Sequence, residues 1–195
     1  MTASTPTNQP TGRGFAIRAA EPDDLPGVRA LMIRVFEQDF GYGYKPEYHG
    51  DVDDLRGVYL DNPRHTLMVA VDDASGAIVG TGGVRSGGLK PEFNHRWLVE
   101  RYDPERTAQL VRVYTAREER GRGAARALVA ALLRFVAEEG SYDVVALHTD
   151  PRSPGAERFW RAQPTTLILD DRDGPSGSLH FEMVIPAVTQ KGQAG

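Results

Sequence analysis

Cysteine is absent from the 195 residues. Its absence excludes disulfides, thiolate-bound metal and a cysteine nucleophile. No apolar run approaches the roughly 18 residues that a membrane span needs. No signal peptide is visible, so a cytoplasmic location is the default expectation. Positive charge is not in excess either: 23 Lys and Arg stand against 27 Asp and Glu, a net charge of −4. A general affinity for nucleic acid or anionic membrane is therefore not expected. Lysine is scarce, occurring only at positions 45, 90 and 191. That bias towards arginine suggests a GC-rich bacterial genome and carries no functional information. What remains is the make-up of a soluble globular protein, 40% hydrophobic and 26% charged, long enough for one domain with a full core.

One stretch stands out against this background. Leu110–Leu133, LVRVYTAREERGRGAARALVAALL, opens as an apolar strand and ends as an Ala/Leu/Val pattern of helical period. Between them Arg117, Arg120, Arg122 and Arg126 crowd a helix start, offset only by Glu118 and Glu119. Helix N-termini carry unpaired N–H groups and partial positive charge, so such crowding predicts an anion there. Gly121 and Gly123 lack a Cβ and let main chain approach that anion closely.

The rest of the chain reads around this stretch. Residues 1–13 and 187–195 offer little to bury and are expected as disordered tails flanking one domain over 14–186. Phe15–Ala19 is a strand. Asp23 or Asp24 then caps a helix whose Leu25, Val28, Leu31, Met32, Val35 and Phe36 form one apolar stripe. Residues 39–51 form a glycine-rich loop with Phe40, Tyr42, Tyr44, Tyr48 and His49, either a lid over the core or the lining of an acceptor pocket. Asp51–Tyr59 reads as a second short helix. Thr66–Asp72 and Ala77–Val84 form a hairpin about the Asp73–Gly76 turn, with Gly80, Gly82 and Gly83 pointing to a bulge or close backbone approach. Residues 86–107 lack periodicity, and Trp97, Leu98 and Tyr102 are expected to pin them down. A strand near 109–115, a helix near 121–139 ending at Gly140, and Val144–Thr149 make one βαβ unit. On that helix Arg126, Ala130, Arg134 and Glu138 face water, while Ala125, Leu128, Leu132 and Phe135 point inward. Pro154–Ala162 is a short helix, and Thr166–Asp170 with Leu179–Ile185 close the chain as a hairpin. This order is a mixed α+β sheet.

Three phosphate-loop patterns compete for the central turn. A P-loop needs Gly-Lys-Ser/Thr, which is missing. A dinucleotide fingerprint fails at its third glycine, since Gly121-Arg122-Gly123-Ala124-Ala125-Arg126 has arginine there and repeated βαβ units are lacking. The pattern Arg/Gln-x-x-Gly-x-Gly/Ala fits as Arg120-Gly121-Arg122-Gly123-Ala124-Ala125. With the strand before it, the helix after it, the LHTD strand end and Ala156-x-x-Phe159-Trp160, the chain resembles the GNAT superfamily of N-acetyltransferases over about residues 15–185.

The resemblance implies a three-layer α+β fold, with a mostly antiparallel seven-stranded sheet and one central βαβ unit carrying the pyrophosphate loop. It implies acetyl-CoA as co-substrate, held by main-chain N–H groups of residues 121–125 and by Arg120 and Arg122. Main chain at Val113, Tyr114 and Thr115 would pair with the pantetheine arm, beside Ala156, Phe159 and Trp160. The acceptor implied is a primary amine on a small molecule, attacking directly in a ternary complex. No metal, nucleic acid or membrane partner is implied, and a homodimer is admitted because many members are dimers. One departure matters: Trp160 stands where the family often has a tyrosine acid, and an indole N–H cannot protonate a thiolate. Either another group supplies the proton, with Tyr114 and Ser153 as candidates, or the thiolate leaves without a protein acid.

His148, near the end of a central strand, is either the base for the amine or a structural hydrogen-bonder. His49, Asp51 and Glu92 lie in loops within possible reach. Arg112 interrupts an apolar strand and needs a partner, either an internal acid or a substrate carboxylate. Arg117 is expected to be solvated, and Tyr42, Tyr44, His49 and Arg112 are the candidate acceptor residues. A non-catalytic acyl-CoA sensor and an acetyltransferase for protein lysines or N-termini are the alternative readings.

Overall fold

The computed structural model describes residues 9–10 and 14–187. The strands are β1 (Gln9–Pro10), β2 (Phe15–Ala19), β3 (Thr66–Asp72), β4 (Ile78–Ser86), β5 (Thr107–Thr115), β6 (Val144–Thr149), β7 (Thr165–Asp170) and β8 (Leu179–Met183). The helices are α1 (Leu25–Gln38), α2 (Pro46–His49), α3 (Arg96–Arg101), α4 (Ala124–Glu139) and α5 (Ala156–Arg161). All strands join one sheet in the order β1-β2-β3-β4-β5-β6-β8-β7. Only β5 and β6 run parallel, with α4 between them. The mostly antiparallel seven-stranded sheet expected from the sequence is thus present, extended by the two residues of β1. The other residues expected as tails, apart from Ala187, lie outside the described residues.

Side-chain period decides which layer each element joins. On α4 the residues Val129, Leu132, Leu133 and Val136 are buried against Val84, Leu110, Val145, Leu147 and Phe181. Arg126, Ala130, Arg134 and Glu138 stay exposed, as the 3.6-residue period requires. Ala124 is buried rather than Ala125, because the helix begins at Ala124. On the opposite face α1 buries Val28, Met32 and Phe36 with Tyr59, Leu67 and Val69. Each such leucine or valine side chain contributes about 1.5–3 kcal/mol by leaving water. Strand β4 passes between these layers with glycines at its tightest points. A Cβ on Gly82 would lie 2.9 Å from Leu132 Cδ1, and one on Gly83 would lie 2.8 Å from Tyr59 Cε1.

Several local expectations are corrected. Asp24 sits at the N-cap of α1, but its carboxylate accepts from Arg18 Nη2 at 2.8 Å and from the Glu21 N–H at 2.8 Å instead of capping that helix. The helix expected over Asp51–Tyr59 breaks into a 3₁₀ turn at Gly50–Val52 and a π-helical turn at Arg56–Leu60. The break lets Asp51 and Tyr59 meet side by side, the Tyr59 hydroxyl donating to Asp51 Oδ2 at 2.5 Å. Within residues 86–107, Leu98 and Tyr102 are buried against Ala146, whereas Trp97 is half exposed and stands outside that cluster. Among the described residues no helix is long and apolar enough to cross a membrane.

Candidate active site

The central feature is a gap in the middle of the sheet. Strand β5 pairs with β4 along its length, up to Gly80↔Thr115. With β6 it pairs only at Thr107, Ala108 and Gln109. Beyond Gln109 the two parallel strands part, and main chain from Leu110 to Thr115 has no ladder partner on the β6 side.

The cause is a bulge built from side chains far apart in sequence. Thr81 pairs with Tyr114 and Gly83 with Val111, so Gly82 faces both Arg112 and Val113. Such a bulge bends its strand and increases local twist. Arg112 takes φ 55°, the one positive φ outside glycine among the described residues. A side chain in this region costs on the order of 1–3 kcal/mol unless its surroundings hold it there. The Thr81 hydroxyl donates to the Arg112 carbonyl at 2.9 Å. The guanidinium gives two bonds to Asp51, from Nε at 3.0 Å and from Nη2 at 2.5 Å, and one to the Tyr48 carbonyl at 2.7 Å. It also lies over the Phe36 ring, 5.6 Å from its centroid. Burial alone would raise the Asp51 pKa, but the hydrogen bonds and charge of Arg112, with the Tyr59 hydroxyl, hold it below the usual carboxylate value. Of the two readings of Arg112, the internal ion pair is therefore the one found. Its guanidinium is committed to Asp51, and it is not a free clamp for a substrate.

A cleft of about 1680 Å³ runs through the gap. At one end lies the glycine-rich turn. Gly121 and Gly123 have φ 82° and 93°, the left-handed region that favours glycine. Helix α4 starts directly after them with no side-chain cap and no acid in its first turn, so its leading N–H groups face the cleft without a side-chain acceptor. The arginines of this turn are more restrained than their number suggested. Asp39, whose side chain is only 5% exposed, accepts from Arg117 at 2.9 Å and also from Arg120. Arg122 pairs with Glu119. Arg117, expected to be solvated, is thus a tether between the turn and the end of α1, where it also donates to the Gln38 carbonyl at 2.7 Å.

The other sequence candidates divide into those that line the cleft and those that do not. Tyr42, Arg112, Val113, Tyr114, Thr115, Arg120, residues 121–125, His148, Ser153, Ala156, Phe159 and Trp160 line it. Tyr44, His49 and Glu92 do not. Tyr44 hydrogen-bonds to Asp53. His49 is buried and stacked on Phe36 with ring centroids 3.8 Å apart, its Nδ1 accepting the Lys45 N–H at 2.9 Å. Its pKa is pushed down to about 4, first by burial and then by the charge of Arg112. Glu92 points to solvent from a 3₁₀ turn at Pro91–Phe93. Of the two acid candidates, the Tyr114 hydroxyl faces Arg112 Nη1 at 3.4 Å among the Phe36 and Phe40 rings. The Ser153 hydroxyl is buried in the cleft wall with no hydrogen-bond partner among the described residues. Trp160 is buried in the core with Phe159 edge-on at 4.9 Å.

His148 projects into the cleft. Its ring is open to cleft space yet enclosed by protein at larger radius. That enclosure first, then His180, Arg85 and Arg112, lowers its pKa to about 4, so it is neutral near pH 7. It sits across from His180, with ring centroids 5.9 Å apart. His180 belongs to a network that sequence reasoning missed. Its Nε2 is 2.9 Å from the Ser176 hydroxyl, which donates to Asp171 Oδ2 at 2.6 Å, and Asp171 Oδ1 meets His95 Nε2 at 2.9 Å. With the Ser176 proton committed to Asp171, His180 must be the donor in its bond to Ser176. The only signal in the sequence was the DDRDGPSGS segment, which reads as a turn. Among the described residues no three His, Asp or Glu side chains come within metal-ligating reach of one another.

Comparison with known proteins agrees with this architecture. A GNAT-family acetyltransferase of Staphylococcus aureus Mu50 is 14% identical over 88% of this chain and 99% of its own, with a TM-score of 0.67. A GCN5-related N-acetyltransferase from Kribbella flavida is 19% identical over 88% and 98%, with a TM-score of 0.58. Nourseothricin acetyltransferase is 21% identical over 89% and 99%, with a TM-score of 0.57. At these identities the likeness speaks for the fold alone. No curated protein sequence matches the chain. The sequence profile of the acetyltransferase (GNAT) family, however, matches residues 29–163, well over half the chain. The parted strands, the glycine turn at the head of α4 and this match lead to one conclusion: the chain is an acyltransferase of the acetyltransferase (GNAT) family.

Proposed function

We propose that the protein transfers an acetyl group from acetyl-CoA to a primary amine of a small molecule, by direct attack with both substrates bound. The observation that carries this reading is the parting of β5 and β6 beyond Gln109, which opens main chain to a ligand in the middle of the sheet. The residues around the gap suit acetyl-CoA. Leading N–H groups of α4 and the turn at 121–125 offer donors and a helix dipole to its diphosphate, with Arg120 and Arg122 beside them. The free edge of Val113–Thr115 offers main-chain donors and acceptors to the amides of its pantetheine arm. When bound, acetyl-CoA supplies an activated thioester carbonyl.

The chain's own groups then have three tasks. A main-chain N–H on the free edge of β5 donates to the carbonyl oxygen as negative charge develops there. His148, kept neutral, takes a proton from the acceptor's ammonium and passes it to cleft water, which frees the nitrogen lone pair for attack on the thioester carbonyl. Ser153, whose buried hydroxyl lacks a partner, donates a hydrogen bond to the departing sulfur. Trp160 takes no part in proton transfer and serves as packing. Measuring thiol release from acetyl-CoA across a panel of amines tests this. Turnover of at least one small amine, lowered in His148→Ala and Ser153→Ala, is expected. Tight CoA binding without turnover on any amine would instead mark a sensor.

A further inference from the structure

The acceptor end of the cleft contains a guanidinium with no hydrogen-bonded partner among the described residues. Arg85, on β4, is half-buried and lines the cleft, yet its guanidinium makes no hydrogen bond or ion pair with any described residue. Its charge is felt at Asp51, Tyr59 and His148, which places it between the floor of the cleft and the imidazole. Register gives the same placement. Arg85 pairs with Gln109, Gln109 pairs with Ala146, and His148 lies two residues beyond Ala146, so Arg85 and His148 face the same side across the gap. The nearby carboxylate of Asp51 is engaged elsewhere, taking two bonds from Arg112 and one from Tyr59, and forms no ion pair with Arg85. Lys90 lines the rim close by in sequence, also without an ion pair among the described residues. Of the nine Lys and Arg lining the cleft, Arg120, Arg122 and Arg126 belong to the glycine turn. Away from it Lys45, Arg85, Lys90 and Arg112 remain beside Glu47 and Asp51, so a polyamine would add to a positive excess.

We infer that Arg85 binds a carboxylate of the acceptor, and that the substrate class is therefore amino acids rather than simple amines or polyamines. A guanidinium meets a carboxylate in two parallel hydrogen bonds, which fixes orientation as well as affinity. With the carboxylate held on β4, the amine of the same molecule reaches across the gap towards His148. The role that the sequence offered to Arg112 falls to Arg85, because Asp51 has taken Arg112.

This inference rests on the acetyl-transfer reading for turnover but not for binding, and its test uses both. Thiol release is measured with the proteinogenic amino acids, β-alanine and γ-aminobutyrate, each beside its carboxamide. Binding of the same pairs to the CoA-loaded protein is measured by calorimetry. One or more acids should exceed the matching carboxamide by about 10- to 100-fold, the worth of a charge-assisted contact. Arg85→Gln should bring the acid down to its carboxamide's value with no change in melting temperature, and Arg85→Lys should recover part of the difference. Carboxamides equal to or better than acids throughout would overturn the inference, as would an Arg85→Gln that lowers both alike. Absence of turnover on every amine would defeat the acetyl-transfer reading, while the calorimetric difference between acid and carboxamide still decides this one.

Discussion

The two ends of the cleft are built from different materials. At the α4 end the working surface is main chain: left-handed glycines and the leading N–H groups of a helix, with the arginines tied to Asp39 and Glu119 at the margin. At the acceptor end the working surface is side chains, a buried Arg112–Asp51 pair under aromatic rings with Arg85 and His148 standing over it. A main-chain surface depends on backbone shape and tolerates most side-chain change. A side-chain surface can be retuned by one substitution, so selectivity for the acceptor belongs there. The same contrast holds in energy, because the arginines of the first end are partly exposed whereas both members of the Arg112–Asp51 pair are buried.

Substitutions can break this contrast from either side. The largest effect is expected from Arg112→Ala, which leaves Asp51 buried and unpaired and should lower stability by about 3–5 kcal/mol in chemical denaturation. Adding Asp51→Asn should restore part of that loss, and a double-mutant cycle reads the coupling. Next is Gly123→Val, which forces a β-branched residue into φ 93°. It should cost about 1–3 kcal/mol of stability and weaken CoA binding about tenfold or more, measured by calorimetry.

A smaller, pH-dependent effect belongs to His49. Unfolded, it takes a proton below about pH 6.5; folded, it does so only near pH 4, because burial opposes the charge and Nδ1 is already an acceptor. Between those values the unfolded state holds the extra proton, so stability falls as pH falls, by up to about 1.4 kcal/mol per pH unit. Melting curves from pH 7 to 4 should show this slope, and His49→Phe, which keeps the stack on Phe36, should remove its share, leaving that of His148 and His180, whose pKa values burial also lowers. The smallest effect is Arg117→Ala at the exposed margin, expected to cost less than about 1 kcal/mol despite its ion pair. A loss as large as that of Arg112→Ala would erase the distinction between the two ends.

What could be read from the sequence follows the same division. The glycine–arginine turn and the helix after it are contiguous, so their spacing carried the strand, the turn, the helix and the anion site together. The apolar stripes of α1 and α4 placed both layers for the same reason. The bulge at Arg112 was not legible, because its partners lie 31 residues away at Thr81 and 61 away at Asp51. Tyr44 and His49 shared a glycine-rich loop with Tyr42, and loop composition alone could not separate the ring that lines the cleft from those turned aside. Nothing in the sequence around Arg85, just past the strand expected to end at Val84, singles it out. What distinguishes it is the lack of a partner, and only coordinates can show that.

The short pairing between β5 and β6 also bears on how the molecule opens. Three residue pairs join two half-sheets, β1 to β5 on one side and β6, β8 and β7 on the other, with α4 spanning the seam. Amides along residues 110–115 therefore have the hydrogen-exchange exposure of an outer strand while lying at the centre of the sheet. A ligand seated in the gap acts as a guest strand. Its arrival should slow exchange at these amides and bind the two halves into one cooperative unit, so that occupancy is read as rigidity far from the turn that holds its charge.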